Sequence, residues 1–229
     1  NAHTLLKECA LDPIILRRQD LLVNYSRVGE VLNLAAQRSG NRQFGLQLSQ
    51  QRDYLVFGPF GLLLSQAESV HDLIRITNQY VHLHVSGIRL IAEEKDQDLA
   101  LHYHLSLAST VDTRQLIELG VGVMFRAARL FFKDHWHPHY ITFAHSNSTN
   151  TDVYKRIFAV PVLFEQASNS IVCDKNILST PPSEQRDLVK HHLTREYNTS
   201  QATLPVDYVE RTQHVLRRSE EHTSELQSP

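Results

Sequence analysis

The chain is poor in several features that would narrow its chemistry. Only two cysteines, Cys9 and Cys173, occur in 229 residues, far apart and outside any CxxC spacing. That argues against a disulfide scaffold or a zinc ribbon, and two buried, inert thiols are expected. No run reaches the roughly 18 uncharged residues of a membrane span. The longest apolar stretch, Leu116 to Leu130, is interrupted by Glu118, Arg126 and Arg129. The opening NAHTLLKECALD has neither the basic start nor the apolar core of a secretory signal, so the cytoplasm is the expected location. Met124 is the single methionine and the sequence opens at Asn1, so the amino end is expected to be cut short.

Basic runs are missing as well. Residues 218–229 hold one Arg and three Glu, and the rest of the chain balances, with 22 basic against 22 acidic residues. Nonspecific binding to nucleic acid rests on neutralising phosphates, so this stretch is not expected to grip DNA. Nor does the sequence contain GxSxG, HExxH, a P-loop, or GxGxxG followed by an acid. Gly45, Gly58 and Gly61 each stand beside Phe or Pro. They read as tight turns and close backbone approaches rather than a phosphate cradle.

What is present is a chain with 41% hydrophobic residues, enough for one sizeable core. RVGEVLNLAAQR, 27–38, sets Val28, Val31, Leu32, Ala35 and Ala36 at helical spacing, and Ser39-Gly40-Asn41 stops it. FGLQLSQQ reads as a short helix or turn. Ser69 caps a helix carrying Val70, Leu73, Ile74 and Thr77, with Asp72 as a weak capping-box acid. The period then turns to alternation, with Val81, Leu83 and Val85 on one side and His82, His84 and Ser86 on the other, which predicts a strand. IRLIAEE and LALHYHLSL predict a hairpin across KDQD. From Thr113 to Lys133 a long helix is expected, mostly buried, with Gln115, Glu118, Arg126, Arg129 and Lys133 as a narrow polar stripe. HYITFAH reads as a strand, TDVYKRIF as a helix, and VLFEQ with SIVCD as a second hairpin across ASNS. A further helix is expected from Ser183 to Tyr197, after Pro181-Pro182. Helices and strands mix without regular βαβ alternation, so the fold class is α+β. It has a mainly antiparallel sheet packed with several helices, one of them long and buried, followed by the start of a truncated helical domain.

Fourteen histidines are many. His135, His137 and His139 alternate in HWHPHY, but His137 precedes Pro138, which makes the stretch an extended lead-in to a strand. A three-ligand site needs donors from more than one element and a second shell, so a structural or solvent-exposed role is preferred. The pairs His82/His84 and His102/His104 would share a face if their strands join one sheet. That face is either the wet side of an antiparallel sheet or a metal-dependent catalytic surface, and no acid follows His84 within VSGIRL. No cofactor and no metal are expected.

Three stretches together resemble the amino-terminal effector-sensing domain of AraC-type transcriptional regulators. They are GNRQFGLQLS, FGPFGLLLSQAESVHDLIRITNQYVHLH and HPHYITFAHSNSTNTDVYKRIFAVPVLFEQASNSIVCDKNIL. The family's landmarks fall on Phe44-Gly45-Leu46, Gly58 to Leu64, Ser69 to Tyr80, Tyr154, Phe158, Pro161 and Val162. The resemblance implies an effector-sensing domain over 1–197, a linker over 198–205, and, in VDYVERTQHVLRR, the first helix of a helix-turn-helix DNA-binding domain over 206–217. It implies a regulator rather than an enzyme, with a small-molecule effector, DNA contacted through the missing carboxy-terminal domain, no membrane partner, and room for a homodimer. Tyr80, Tyr103 and Phe125 are the candidate lining of the effector pocket, as an apolar cavity with a few polar handles. A stand-alone small-molecule-binding module, with no DNA-binding partner, is the other reading.

RSEEHTSELQSP, 218–229, has no core pattern and too few apolar residues to offset its ordering entropy. It resembles a translated sequencing adapter and is expected to be foreign to the protein, the last native residue being Arg217 or Arg218.

Overall fold

The computed structural model describes residues 1–18, 21, 23–50, 58–108, 110–146 and 151–181. The helix expected at 183–197, the linker 198–205, the helix 206–217 and the tail 218–229 lie outside the described residues. In chain order the helices are α1 (Ala2–Glu8), α2 (Tyr25–Ser39), α3 (Phe44–Leu48), α4 (Gly58–Leu64) and α5 (Val70–Tyr80). The hairpin β1 (Ile88–Lys95) and β2 (Asp98–Leu105) precedes α6 (Arg114–Phe132). Then come β3 (Pro138–Thr142), α7 (Asp152–Phe158), β4 (Val162–Leu163) and β5 (Ser170–Asp174). The strands form one sheet in the order β1-β2-β5-β3-β4, antiparallel except for the β3–β4 pair. The fold is α+β.

Local chemistry places most boundaries. Ser69 Oγ accepts from the Asp72 N–H at 3.1 Å, and the Asp72 carboxylate accepts from the Glu68 N–H at 3.2 Å, so two otherwise orphaned donors at the start of α5 are satisfied. Gly40 ends α2 at φ +66°, a conformation that costs glycine no Cβ clash. Lys95 pairs with Asp98 across the hairpin, and Asp96 supplies the left-handed φ of 56°, which Asp tolerates.

Two strand expectations give way. Residues 81–86 form no strand: Val81–Leu83 is a 3-10 turn continuing from α5, with the N–H groups of His84 and Val85 donating to the Val81 carbonyl. Three apolar residues at alternate positions satisfy a helical turn as well as a strand when the preceding helix already supplies the carbonyls. The second hairpin is not formed either. β4 instead follows the α7 crossover and pairs parallel with β3, while β5 inserts between β2 and β3. The reason lies in β5 itself, where Ser170, Ile171, Val172 and Cys173 are all buried; apolar residues on both faces call for a central strand.

The core lies between the sheet and α6. Leu99, Leu101 and Tyr103 of β2 face it together with Val121, Phe125, Ala128 and Phe132 of α6. On the other side α6 meets α3 at van der Waals limits. The Gly45 N–H donates to Gln115 Oε1 at 2.7 Å, and Gln115 Nε2 donates to the Arg42 carbonyl at 2.8 Å. A Cβ on Gly45 would lie 2.1 Å from the Gln115 carbonyl oxygen. The polar stripe of α6 divides along the helix: Gln115 and Glu118 are buried, while Arg129 and Lys133 are exposed.

At the sheet edge, α5 holds β1 by one side chain. Asn78 Nδ2 donates to the Leu90 carbonyl at 2.7 Å, and the Leu90 N–H donates to Asn78 Oδ1 at 2.9 Å.

Because backbone rather than a flexible side chain blocks the added methyl, Gly45→Ala is expected to lower stability by about 1–3 kcal/mol. Gly40→Ala meets no atom within 4 Å and is expected to cost about 1 kcal/mol through its positive φ alone. Urea unfolding of the two variants checks the order.

Candidate functional site

Two polar features lie along the gap between α6 and α7. The first is buried. Glu118, with 0% exposure, sits one turn into α6 and gathers three partners on its Oε1. Arg114 Nε donates at 3.0 Å, Tyr154 Oη of α7 donates at 2.7 Å, and His145 Nε2, just beyond β3, lies 3.3 Å away. The imidazole contact is close without hydrogen-bond alignment, and neither His145 Nε2 nor Glu118 Oε2 has a hydrogen-bond partner among the described residues. Arg114 also donates to Tyr154 Oη at 3.3 Å. Rings close the other sides: Phe143 lies 5.0 Å from His145, and Phe164 lies 5.0 Å from Tyr154.

Burial dominates the protonation of this group. It pushes the Glu118 carboxyl up, against the opposing pull of Tyr154 and Arg114. It pushes the His145 imidazole down and the Tyr154 phenol well up, with the Glu118 charge adding to the rise. Burial thus works against the charged form of both Glu118 and His145.

The second feature is an open cleft of about 700 Å³ at the other end of the same gap. Phe125, Arg126, Arg129 and Leu130 of α6 form one wall, and Phe158, Ala159 and Val160 at the end of α7 form another. Lys133, Trp136, His137 and Pro138 from the α6–β3 connection close it, with Gln50 at the margin. Phe125 packs edge-on to Trp136 at 6.2 Å and to Phe158 at 5.1 Å. Arg126 donates to the Ser49 carbonyl, which ties the rim to the end of α3. Trp136 is 6% exposed, and its indole Nε1 has no hydrogen-bond partner among the described residues.

The three pocket candidates are spread across the core. Phe125 lines the cleft. Tyr103 projects from β2 onto α6, where a Cβ on Gly120 would come within 2.2 Å of its phenol oxygen. Burial pushes the Tyr103 phenol well up, and the nearby Tyr25 phenol adds to the rise, while the Tyr103 hydroxyl has no aligned hydrogen-bond partner among the described residues. Tyr80, at the end of α5, is partly buried against the same core. Neither Tyr80 nor Tyr103 lines the α6–α7 cleft.

The four histidines do not share a face. His84 stacks on Phe60 at 5.8 Å, where burial pushes its imidazole down, because 81–86 never joins the sheet. His102 lies between Glu93 Oε2 at 3.0 Å and Ser170 Oγ at 2.8 Å. His139 pairs with Asp98 at 3.1 Å, and His137 lines the cleft. No group of three or more His, Cys, Asp or Glu could hold a metal ion among the described residues. Cys9 and Cys173 are both free and buried, and burial pushes the Cys173 thiol up to about 12. No helix among the described residues is long and apolar enough to cross a membrane.

Sequence reasoning registered Arg126, Arg129 and Lys133 only as part of a narrow polar stripe and Phe158 only as a family landmark, and it missed Trp136 and the Glu118 cluster as site features. The signal for the cluster was a lone acid in an apolar helix, Glu118, four residues after Arg114.

Glu118 and His145 act on stability in opposite directions. A carboxyl raised in the fold favours the folded state most below its unfolded pKa, and that advantage is lost as pH rises through the folded value. An imidazole lowered in the fold contributes above its unfolded pKa and loses that contribution as pH falls. The melting temperature of the wild type relative to Glu118→Gln is therefore expected to fall as pH rises above the ordinary carboxylate value of 4.5, as thermal unfolding over a pH series would show. Tyr154→Phe, which leaves the buried carboxyl one donor short, is expected to cost about 1–3 kcal/mol, measured by urea unfolding at constant pH.

Comparison with known proteins places this architecture. No curated protein sequence matches the chain. The fold is similar to that of the transcriptional regulator CdpR from Pseudomonas aeruginosa, with a TM-score of 0.57 at 15% identity, covering 84% of this chain. The match takes in 59% of the length of that regulator. A family model described as the arabinose-binding domain of AraC transcription regulator, N-term, matches residues 1–182. That span includes every described residue, and the chain belongs to the family of amino-terminal, ligand-sensing domains of AraC-type transcription regulators.

Proposed function

We propose that the domain binds a small-molecule effector and thereby biases DNA binding by a helix-turn-helix domain that follows it. The chain's own divisions in this reading are a sensing domain over 1–197, a linker over 198–205 and the first DNA-binding-domain helix over 206–217. DNA is contacted through the remainder of that second domain, and no catalytic step is assigned to the fragment.

The observation that carries the reading is the family match over residues 1–182. The geometry supports it in one respect. An effector is useful to a regulator only if it prefers one of two arrangements, and the α6–α7 gap supplies elements that could differ between them. The helices are joined at one end by Tyr154 and Glu118 and at the other by the Phe125–Phe158 ring pair. A molecule entering the cleft meets the second junction directly, and any shift of α7 is felt by the first. Tyr80 and Tyr103 belong to the same core as Phe125, and a pocket reaching them would draw on that core.

The gene itself provides the test. DNA downstream of the codon for Arg217 is expected to encode two helix-turn-helix units in frame. An open frame without that pattern would make the chain a stand-alone binding module and overturn the regulator reading.

A further inference from the structure

His102 stands on the face of the sheet turned away from α6, since Leu99, Leu101 and Tyr103 of the same strand face the core. Both of its ring nitrogens are held. Nε2 lies 3.0 Å from Glu93 Oε2 on β1, while Nδ1 lies 2.8 Å from Ser170 Oγ and 3.0 Å from Ser168 Oγ. We infer that Ser168 is a nucleophile with His102 as its general base, and that it accepts an acyl group from an activated ester or thioester. This site lies outside the α6–α7 gap and stands independently of the sensor reading.

A carboxylate can only accept, so in the neutral ring the proton sits on Nε2 and Nδ1 presents its lone pair to the hydroxyls. A serine, a base within hydrogen-bond reach and a third group that orients the base form the arrangement that activates a hydroxyl. It is defined by geometry and roles rather than by order in the chain. Ser170 is the closer hydroxyl, but at 1% exposure it is closed to a reagent. Ser168 is half-buried and has two routes for its proton, one directly to Nδ1 and one through Ser170 Oγ, 2.9 Å away. In the step, Ser168 Oγ bonds to the acyl carbon as its proton passes to Nδ1. The bond from that carbon to the leaving oxygen or sulfur then breaks, and the leaving group takes the proton from Nδ1.

A plainer role for the imidazole is to pin the segment before β5 to the sheet. Other bonds already do so. Thr142 Oγ1 donates to the Ser168 carbonyl at 2.9 Å, and the Ala144 N–H donates to Asn169 Oδ1 at 2.9 Å. The Tyr103 N–H donates to the Asn169 carbonyl at 2.8 Å. These hold the backbone at Ser168 against β3 and β2 without using its side chain, and the contact between hydroxyl and imidazole is left for chemistry.

The experiment treats the 229-residue chain with p-nitrophenyl acetate and locates the acetyl group by peptide mass mapping over a time course. Acetylation of Ser168 is expected ahead of that of Ser86 and Ser106, which are more exposed, because reactivity follows the base rather than the exposure. His102→Gln is expected to slow it about 100-fold, whereas Ser170→Ala, which leaves the direct route open, should keep most of it. Glu93 acts through His102 as a positioning residue. Its side chain is 66% exposed, so Glu93→Ala should melt like the wild type while acetylating Ser168 more slowly, with Glu93→Asp recovering part of the loss. Acetyl groups on lysines and the amino terminus alone, or Ser168 reacting no faster than Ser86 and Ser106, overturns the inference in the wild type itself. So does a His102→Gln or Glu93→Ala chain that melts like the wild type and acetylates Ser168 at the wild-type rate.

Discussion

A carboxyl group with no access to solvent, Glu118 in the long helix α6, governs how the neighbouring elements pack. Taking it out of water is costly unless its oxygens find donors, and two come to Oε1, from Arg114 one turn back and from Tyr154 on α7, while His145 beyond β3 lies against it without an aligned hydrogen bond. The crossover from β3 to β4 is consequently fixed to α6 by polar contacts as well as by the rings of Phe143, Tyr154 and Phe164. Replacing the cluster by apolar residues of matching shape would be compatible with the same fold. What the polar version adds is a junction whose strength depends on the position of α7.

On its opposite side α6 depends on the absence of side chains. Gly45 lets α3 lie against the backbone at Gln115, and Gly120 lets the ring of Tyr103 reach the helix from the sheet. The helix is therefore gripped through its backbone from two sides and through Glu118 from a third. It offers its less buried carboxy-terminal half to the cleft, where Arg129 and Lys133 reach water.

The legible parts of this fold were those decided within a few residues. The Ser69 cap, the Gly40 stop, the β1–β2 hairpin and the span of α6 each follow from a local pattern, and each is present. The misread parts were decided elsewhere in the chain. Whether Val81-His82-Leu83 becomes a strand depends on α5 still offering carbonyls, and the partner of SIVCD depends on where two-sided burial is available. For the same reason the candidate site was legible only in fragments. Phe125 stood out as an aromatic residue in an apolar helix, but its neighbours Trp136 and Phe158 arrive from a connection and from another helix. Arg126, Arg129 and Lys133 read as part of the narrow polar stripe of α6, with nothing local to announce the aromatic residues beside them. Glu118 looked like part of that stripe because nothing in the sequence around it announces Tyr154.

The Asn78 clamp on β1 has a consequence for assembly. An outer strand with free amide and carbonyl groups is a template on which another chain can lay a strand of its own. Here the carboxamide of Asn78 already occupies both outward groups of Leu90, in the middle of that edge, in the manner of a short false strand. A second copy extending the sheet across this edge would first have to displace α5. At the β1 edge, addition of a strand from another chain is thereby disfavoured.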